Sequence, residues 1–290
     1  IDKTIKQAPQ PKQKLSSAQD ETSYPQIWTL TENDISDGNL AIGSKVPMPQ
    51  ASLTPIDGFR DYHSLKAYHQ GIAETNAYVS AHQVGSSVHG EAIWSYTLSD
   101  ADNTTAEGNI IEPAVMIDGG IHAREWQTPE VVASTLEHLA SNAQDQGFNQ
   151  YLLENLNIII TPVINVDGFI HTQQYPDQFM VFEVETGDPD YPTKLSVADG
   201  RFRRKSRHNA DNLLSTYSDN RFGVDINRNF GPGWGQDDQE SSPEPEHTKY
   251  RGEAPYSEPE TQAILAAAAL GPADRLRYYT NTHSFFSFFK

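Results

Sequence analysis

The sequence predicts an α/β fold, and three stretches carry that prediction. The apolar run Ala114 to Asp118 reads as a strand, Pro129 suits the first turn of a helix continuing to about Ser141, and "NIIITPVI" from Asn157 reads as a buried strand. Strands separated by helices imply an α/β sheet.

The remaining elements follow in chain order. Residues 1 to about 25 are Gln, Lys, Pro and Ser with scarcely any large apolar side chain, a composition that does not offset its ordering entropy. A leader, largely disordered or extended, is expected over 1–60. From about Asp61 the pattern turns globular, with a helix-like stretch from Ser64 to Ala81, a strand from Ala92 to Leu98 and a polar turn from Ser99 to Gly108. The segment from Gln173 to Gly200 is rich in Asp, Pro and Tyr without a period, and "QDDQESSPEPE" from Gln236 is more acidic still. Both are expected as solvated surface loops, and neither has the oxygen spacing of a calcium loop. Ser257 and Glu260 make a capping box for a helix through Ala269, after which "LRYYTNTH" alternates like a strand.

Composition narrows the function. At 290 residues and 37% hydrophobic, the chain is long enough for one main domain with a sizeable core. Twenty-one basic against thirty-nine acidic residues leave a formal charge of -18, which repels nucleic acid and anionic lipid, so neither nucleic acid nor membrane is an expected partner. There is no cysteine, so a transition metal must use His and carboxylate. No run approaches the roughly 18 apolar residues of a membrane span. The amino terminus has neither a charged nor an apolar signal region, and the first residue is Ile1, which suggests a processed form or a fragment.

The chemistry concentrates at "GGIHAREW". His122 and Glu125 lie one turn apart, so an imidazole nitrogen and a carboxylate oxygen can converge on one cation at about 2.0 to 2.2 Å. A helix-entry histidine followed by a dipole-friendly glutamate would look the same. Position favours the metal, because the pair follows the carboxyl end of a strand, where open α/β sheets bind their ligands. His283, at the end of "YYTNTH", faces that same edge if its strand runs parallel, and is otherwise a core histidine satisfied by the backbone. In "GVDINRNF", Asn227 beside Arg228 can grip a carboxylate with directed and bidentate bonds, or can be a surface turn. The basic run "RFRRKSR" is too short to outweigh the overall charge as a nucleic acid patch, and one of its arginines can serve a substrate instead.

Six motifs stand in order: "GGIHAREW", "NVDGF", "RFRRK", "GVDINRNF", "YSEPET" and "NTHS". Together they resemble the zinc carboxypeptidases of the carboxypeptidase A type, from about Asp61 to the last residue, roughly four fifths of the chain. The resemblance implies a mixed, mostly parallel central sheet with helices on both faces and a catalytic domain over 61–290. It implies one zinc ion (Zn2+) per chain bound by His122, Glu125 and His283, with Asp225 orienting His122. Two histidines and a glutamate are the known zinc set of carboxypeptidase A itself, so this assignment comes with the resemblance. By the same resemblance Asn227 and Arg228 hold the substrate's terminal carboxylate, Arg204 polarises the scissile carbonyl, and Arg124 is a secondary subsite arginine. The implied partners are peptide or protein C-termini, cleaved by zinc-activated water, in an extracellular or periplasmic setting.

One part of the family pattern has no counterpart. The family's general base is a glutamate on a later strand, with a mobile tyrosine near it, both downstream of the "THS" histidine. Here only Phe285 to Lys290 follow Ser284, and no glutamate follows Glu260. The general base and the C-terminal strands are therefore expected to be missing from this chain. Two alternatives stay open beside the carboxypeptidase: a short form that binds zinc and peptide ends without turnover, and a hydrolase of small acylated amino acids.

Overall fold

The computed structural model describes residues 27–29, 59–108, 110–174, 178–184, 195–200, 202–210 and 222–284. Most of the expected leader and the phenylalanine-rich stretch after Ser284 lie outside the described residues.

A five-stranded sheet organises the chain. Its strands are β2 (Val79–Ser86), β3 (Ala92–Leu98), β4 (Ala114–Asp118), β5 (Asn157–Thr161) and β8 (Leu276–Asn281), in the spatial order β2-β3-β5-β4-β8. The sheet is mixed: β2 with β3 and β3 with β5 are antiparallel, while β4 runs parallel to both β5 and β8. Period two in the sequence splits the sheet's side chains between two faces. On one face Tyr96, Leu98, Ile158 and Ile160 pack with Val132, Leu136 and Leu139 of helix α2 (Gln127–Ser141). On the other, Ala114, Met116 and Ile159 pack with Ile264 and Ala267 of helix α5 (Pro259–Ala268). Helices thus cover both faces, and β5 is buried along its whole length, which explains its uninterrupted apolar run.

Helix α1 (Tyr62–Thr75) starts where the Asp61 carboxylate accepts the Ser64 N–H at 2.9 Å and stops at Asn76, whose backbone is extended. The sequence expectation of helix through Ala81 is corrected here. Val79 pairs with Leu98 and Ser86 with Ala92, so the ladder to β3 claims the residues beyond Asn76. Arg60 ties the start of α1 to α2, its guanidinium meeting Glu130 at 2.7 Å and Glu137 at 2.6 Å. Helices α3 (Phe148–Leu153) and α4 (Val166–Gln174) flank β5.

Two further expectations are corrected. The Gln173 to Gly200 segment contains strands β6 (Gln178–Val184) and β7 (Leu195–Gly200), paired antiparallel, and β1 (Ile27–Thr29) joins β6 in a separate three-stranded sheet. "QFMVFEV" has the aromatic and β-branched content of a strand, which the Asp and Pro residues around it masked. The capping box at Ser257 does not form. Helix α5 begins at Pro259 with Glu258 as its cap residue, and the Ser257 hydroxyl donates to the Glu258 carboxylate at 2.8 Å. Glu260 turns inward and is fully buried.

Candidate metal centre

The loop that carries His122 and Glu125 is fixed by two glycines. Gly120 has φ of 65°, the left-handed region, and a Cβ on Gly119 would lie 2.8 Å from the Thr128 carbonyl oxygen. The Gly119 N–H donates to Thr161 O at 3.0 Å and the Gly120 N–H to the Thr128 hydroxyl at 2.8 Å. The chain leaving β4 is thereby pressed between the end of β5 and the start of α2. It presents His122 and Glu125 in one turn, with the Glu125 N–H on His122 O at 3.1 Å.

His283 arrives from β8. Because β8 runs parallel to β4, both strands end at the same sheet edge, and the condition set by the sequence is met. His283 Nδ1 lies 3.2 Å from His122 Nδ1 and 3.4 Å from Glu125 Oε2, while His122 Nδ1 lies 2.8 Å from Glu125 Oε1. One ligand atom from each of the three residues falls within 4.8 Å of the others. Tetrahedral zinc ligands at about 2.0 to 2.1 Å stand about 3.3 Å apart, so the donor set and its spacing both fit zinc.

Around this set the charges are arranged. Asp225, fully buried, faces His122 Nε2 at 3.3 Å, so His122 has a carboxylate at each ring nitrogen. The Arg204 guanidinium forks onto Asp225 Oδ2 at 2.9 and 2.8 Å and brings Nη1 to 3.3 Å from His122 Nδ1. Burial alone would raise both acids. Hydrogen bonds from His122 and His283 hold Glu125 down at about 2, and His122 with the Arg204 charge holds Asp225 well below the usual carboxylate range. Arg124 is lowered to about 10 by burial and by the neighbouring Arg204 cation, against the pull of Glu125 and Asp225.

The substrate-end candidates sit beside the set less tightly. Asn227 and Arg228 lie on a short 3₁₀ turn, Ile226–Arg228, started by Asp225. Asn227 Nδ2 is 3.5 Å from His283 Nε2. Arg228 donates to the carbonyls of Glu240 at 2.6 Å and Asn227 at 3.1 Å, and among the described residues no hydrogen bond joins it to His122, Glu125 or His283. Within the basic run Arg203, Lys205 and Arg207 are buried; Arg203 donates to Ser206 O and Phe222 O, and Lys205 to Pro245 O and His247 O. Arg203 and Lys205 thus brace loops, while Arg204 turns to His122 and Asp225. Sequence reasoning missed Asp118, Tyr279 and Asn281, whose side chains meet at the β4–β8 edge next to the site. The available signal was an aspartate closing an otherwise apolar strand.

Comparison with known proteins decides the family, since residues 65–288 match the zinc carboxypeptidases. This chain belongs to the zinc carboxypeptidase family. The zinc carboxypeptidase chain is 25% identical to carboxypeptidase O of Bos taurus over 241 residues, covering 82% of this chain and 54% of that protein. It is 27% identical to carboxypeptidase B of Astacus astacus over 228 residues, covering 78% of this chain and 61% of that protein. The crystal structure of carboxypeptidase A from Helicoverpa armigera shares the fold with a TM-score of 0.61 at 26% identity, covering 88% of this chain and 53% of that one. The chain therefore spans a little over half the length of these relatives. No helix among the described residues is long and apolar enough to cross a membrane.

Proposed function

We propose that this chain carries the metal and substrate-end machinery of a zinc-dependent carboxypeptidase that hydrolyses the last peptide bond of peptides or proteins outside the cell. The observation that supports this most is the convergence of His122, Glu125 and His283 at the carboxyl edge of parallel strands, with Arg204 alongside. A zinc ion held by these three residues would supply Lewis acidity toward a carbonyl oxygen and toward water.

The chain's own residues divide the rest of the work. With the ion bound, Asp225 would accept the His122 Nε2–H and so fix the tautomer whose Nδ1 lone pair serves the ion in place of the hydrogen bond to Glu125. Arg204 keeps its charge on Asp225 while Nη1 points into the set, where it can stabilise a developing oxyanion. Asn227 and Arg228 bind the terminal carboxylate of the substrate, with Arg228 exchanging its bond to the Glu240 carbonyl for a charge-assisted pair. Arg124, beside Arg204, receives a carbonyl or carboxylate further along the substrate.

A second reading is favoured by a specific feature. The two carboxylates that touch His122 are both engaged, Glu125 with the histidines and Asp225 with Arg204, so neither stands over the site to carry a proton. A chain that binds zinc and peptide ends but turns over slowly has this arrangement, since a positioned general base contributes about 10² to 10⁴ in rate. One experiment addresses both readings. Protein purified without chelator is analysed for metal, then titrated with a peptide and with its C-terminally amidated twin, and hydrolysis is followed in the same samples. One zinc per chain and a preference of at least about tenfold for the free carboxylate are expected, as for a charge-assisted contact. Well-folded protein without zinc defeats the proposal, and equal binding of the two peptides points to the small acyl-amide hydrolase instead. Turnover separates the enzyme from the binding form.

A further inference from the structure

β8 is an edge strand with a single neighbour among the described residues, and its outer residues Tyr278 and Tyr279 are exposed. Its ladder to β4 is also irregular, shifting register between Ala114 and Val115. Such a strand is weakly specified by its own pairing, and a slip of one residue would turn every side chain to the opposite face. Yet His283, two residues past the end of β8 and 38% exposed on its side chain, must meet His122 within a few tenths of an ångström for the metal set to exist. Something other than strand pairing has to hold that end.

The structure assigns this role to Asp118. Its carboxylate is 0% exposed at the carboxyl end of β4 and accepts the Tyr279 phenol at 2.7 Å on Oδ2 and the Asn281 side-chain amide on Oδ1. Its main-chain carbonyl accepts the Thr282 N–H at 3.0 Å and the Thr282 hydroxyl at 2.5 Å. Four donors, drawn from three residues just ahead of His283, therefore land on one residue that lies four positions before His122. Because Tyr279 and Asn281 are two apart, their side chains share a face, and the two oxygens of one carboxylate grip both. That grip sets register and rotation together. We propose that Asp118 is a positioning residue, the pin that delivers the third metal ligand, His283, to the two ligands carried by its own loop.

The inference rests on the zinc reading and is tested apart from it. Asp118→Asn keeps the volume but replaces one acceptor oxygen with a donor, which then opposes a donor on Tyr279 or Asn281. Tyr279→Phe removes one of the two side-chain bonds and leaves a ring that is already 43% exposed. For wild type and both variants, zinc affinity is measured by chelator competition and the cobalt(II) absorption spectrum is recorded, with far-UV circular dichroism as the check of folding. Orienting partners of metal ligands typically contribute about 10 to 100-fold in affinity, so Asp118→Asn is expected to weaken zinc by about tenfold or more. It should also shift the cobalt bands, and Tyr279→Phe should move both readouts the same way by a smaller factor. If Asp118→Asn does not fold, Tyr279→Phe decides by the same two measurements. Folded variants with wild-type zinc affinity and an unchanged cobalt spectrum overturn the proposal, even if they melt earlier, because a purely structural carboxylate would do only that. A wild-type chain that holds no zinc overturns the underlying metal reading as well, a result visible before any variant is made.

Discussion

Glu125 and Glu260 are two glutamates under nearly the same cover, 3% and 0% exposed, at opposite ends of the charge scale. Glu125 lies at the sheet's carboxyl edge with His122, His283 and the Ser284 N–H around it, and it is held at about 2. Glu260 lies in the first turn of α5, where no donor among the described residues reaches its oxygens in hydrogen-bond geometry. Burial first, then the like charges of Asp167 and Glu258, push it up to about 8, although its own N–H and that of Val88 lie close enough to pull the other way. Burial raises the stakes equally in both places; the partners decide the sign. One region keeps a carboxylate charged beside two imidazoles, and the other keeps a carboxyl neutral inside the packing of a helix against the sheet.

The largest expected effect comes from stripping the partners of Glu125. His122→Ala removes a proposed ligand and also the imidazole that faces Glu125 Oε1 and Asp225 Oδ1, leaving two buried acids with less to offset their charge. Zinc content should fall from one per chain to near zero by metal analysis, with the fold retained by circular dichroism. Full zinc occupancy in this variant would mean that the cation sits elsewhere and that Glu125 is an ordinary ion-paired acid. A smaller change is expected when the partner is one step removed. Asp225→Asn keeps the shape beside His122 but weakens its grip on the ring, and should reduce zinc affinity by about 10 to 100-fold while leaving a measurable site. If the two substitutions act equally, Asp225 is part of the ligand set and not its support.

The two regions also differ in how far they could be read from the sequence. His122 and Glu125 are visible because they are local: a three-residue spacing at a strand end needs only the strand to be right, and "AVMID" is a clear one. His283 was legible conditionally, through the strand direction that its pairing with β4 then supplied. Asp225 and Arg204 came through family resemblance, since nothing in their own neighbourhoods says that they meet each other 21 residues apart and His122 from 103 and 82 residues away. The sequence misled where a local rule had a tertiary competitor. Ser257 and Glu260 have capping-box spacing, but the Ser257 hydroxyl donates to Glu258 and accepts from the Asn229 side-chain amide at 2.9 Å, and α5 turns Glu260 inward. The helix-like stretch reads through Ala81, but β3 offers a ladder from Val79 on. The run "RFRRKSR" reads as too short for a nucleic acid patch, but a string of letters does not show the carbonyls that receive Arg203 and Lys205.

The mildest prediction sharpens the other half of the comparison. A carboxyl whose pKa is raised on folding binds its proton more tightly in the native state than in the unfolded chain. Between the ordinary value of 4.5 and the native value of about 8, the native state therefore holds the extra proton, and stability falls as pH rises through that window. Glu260→Gln removes the titration while keeping the size of the side chain. Denaturant unfolding across pH 5 to 9 should show the downward slope of the wild type flattened by up to one proton. The variant should be the more stable form at pH 8, by up to a few kcal/mol, because each pH unit over which the native state holds one extra proton costs the wild type about 1.4 kcal/mol, and the neutral amide escapes that cost. Near pH 5, where the carboxyl is neutral in the native state, the two proteins should converge. A variant that is less stable at every pH, with the wild-type slope intact, would show that Glu260 is charged and satisfied in the folded protein. The contrast with Glu125 would then reduce to two well-paired acids.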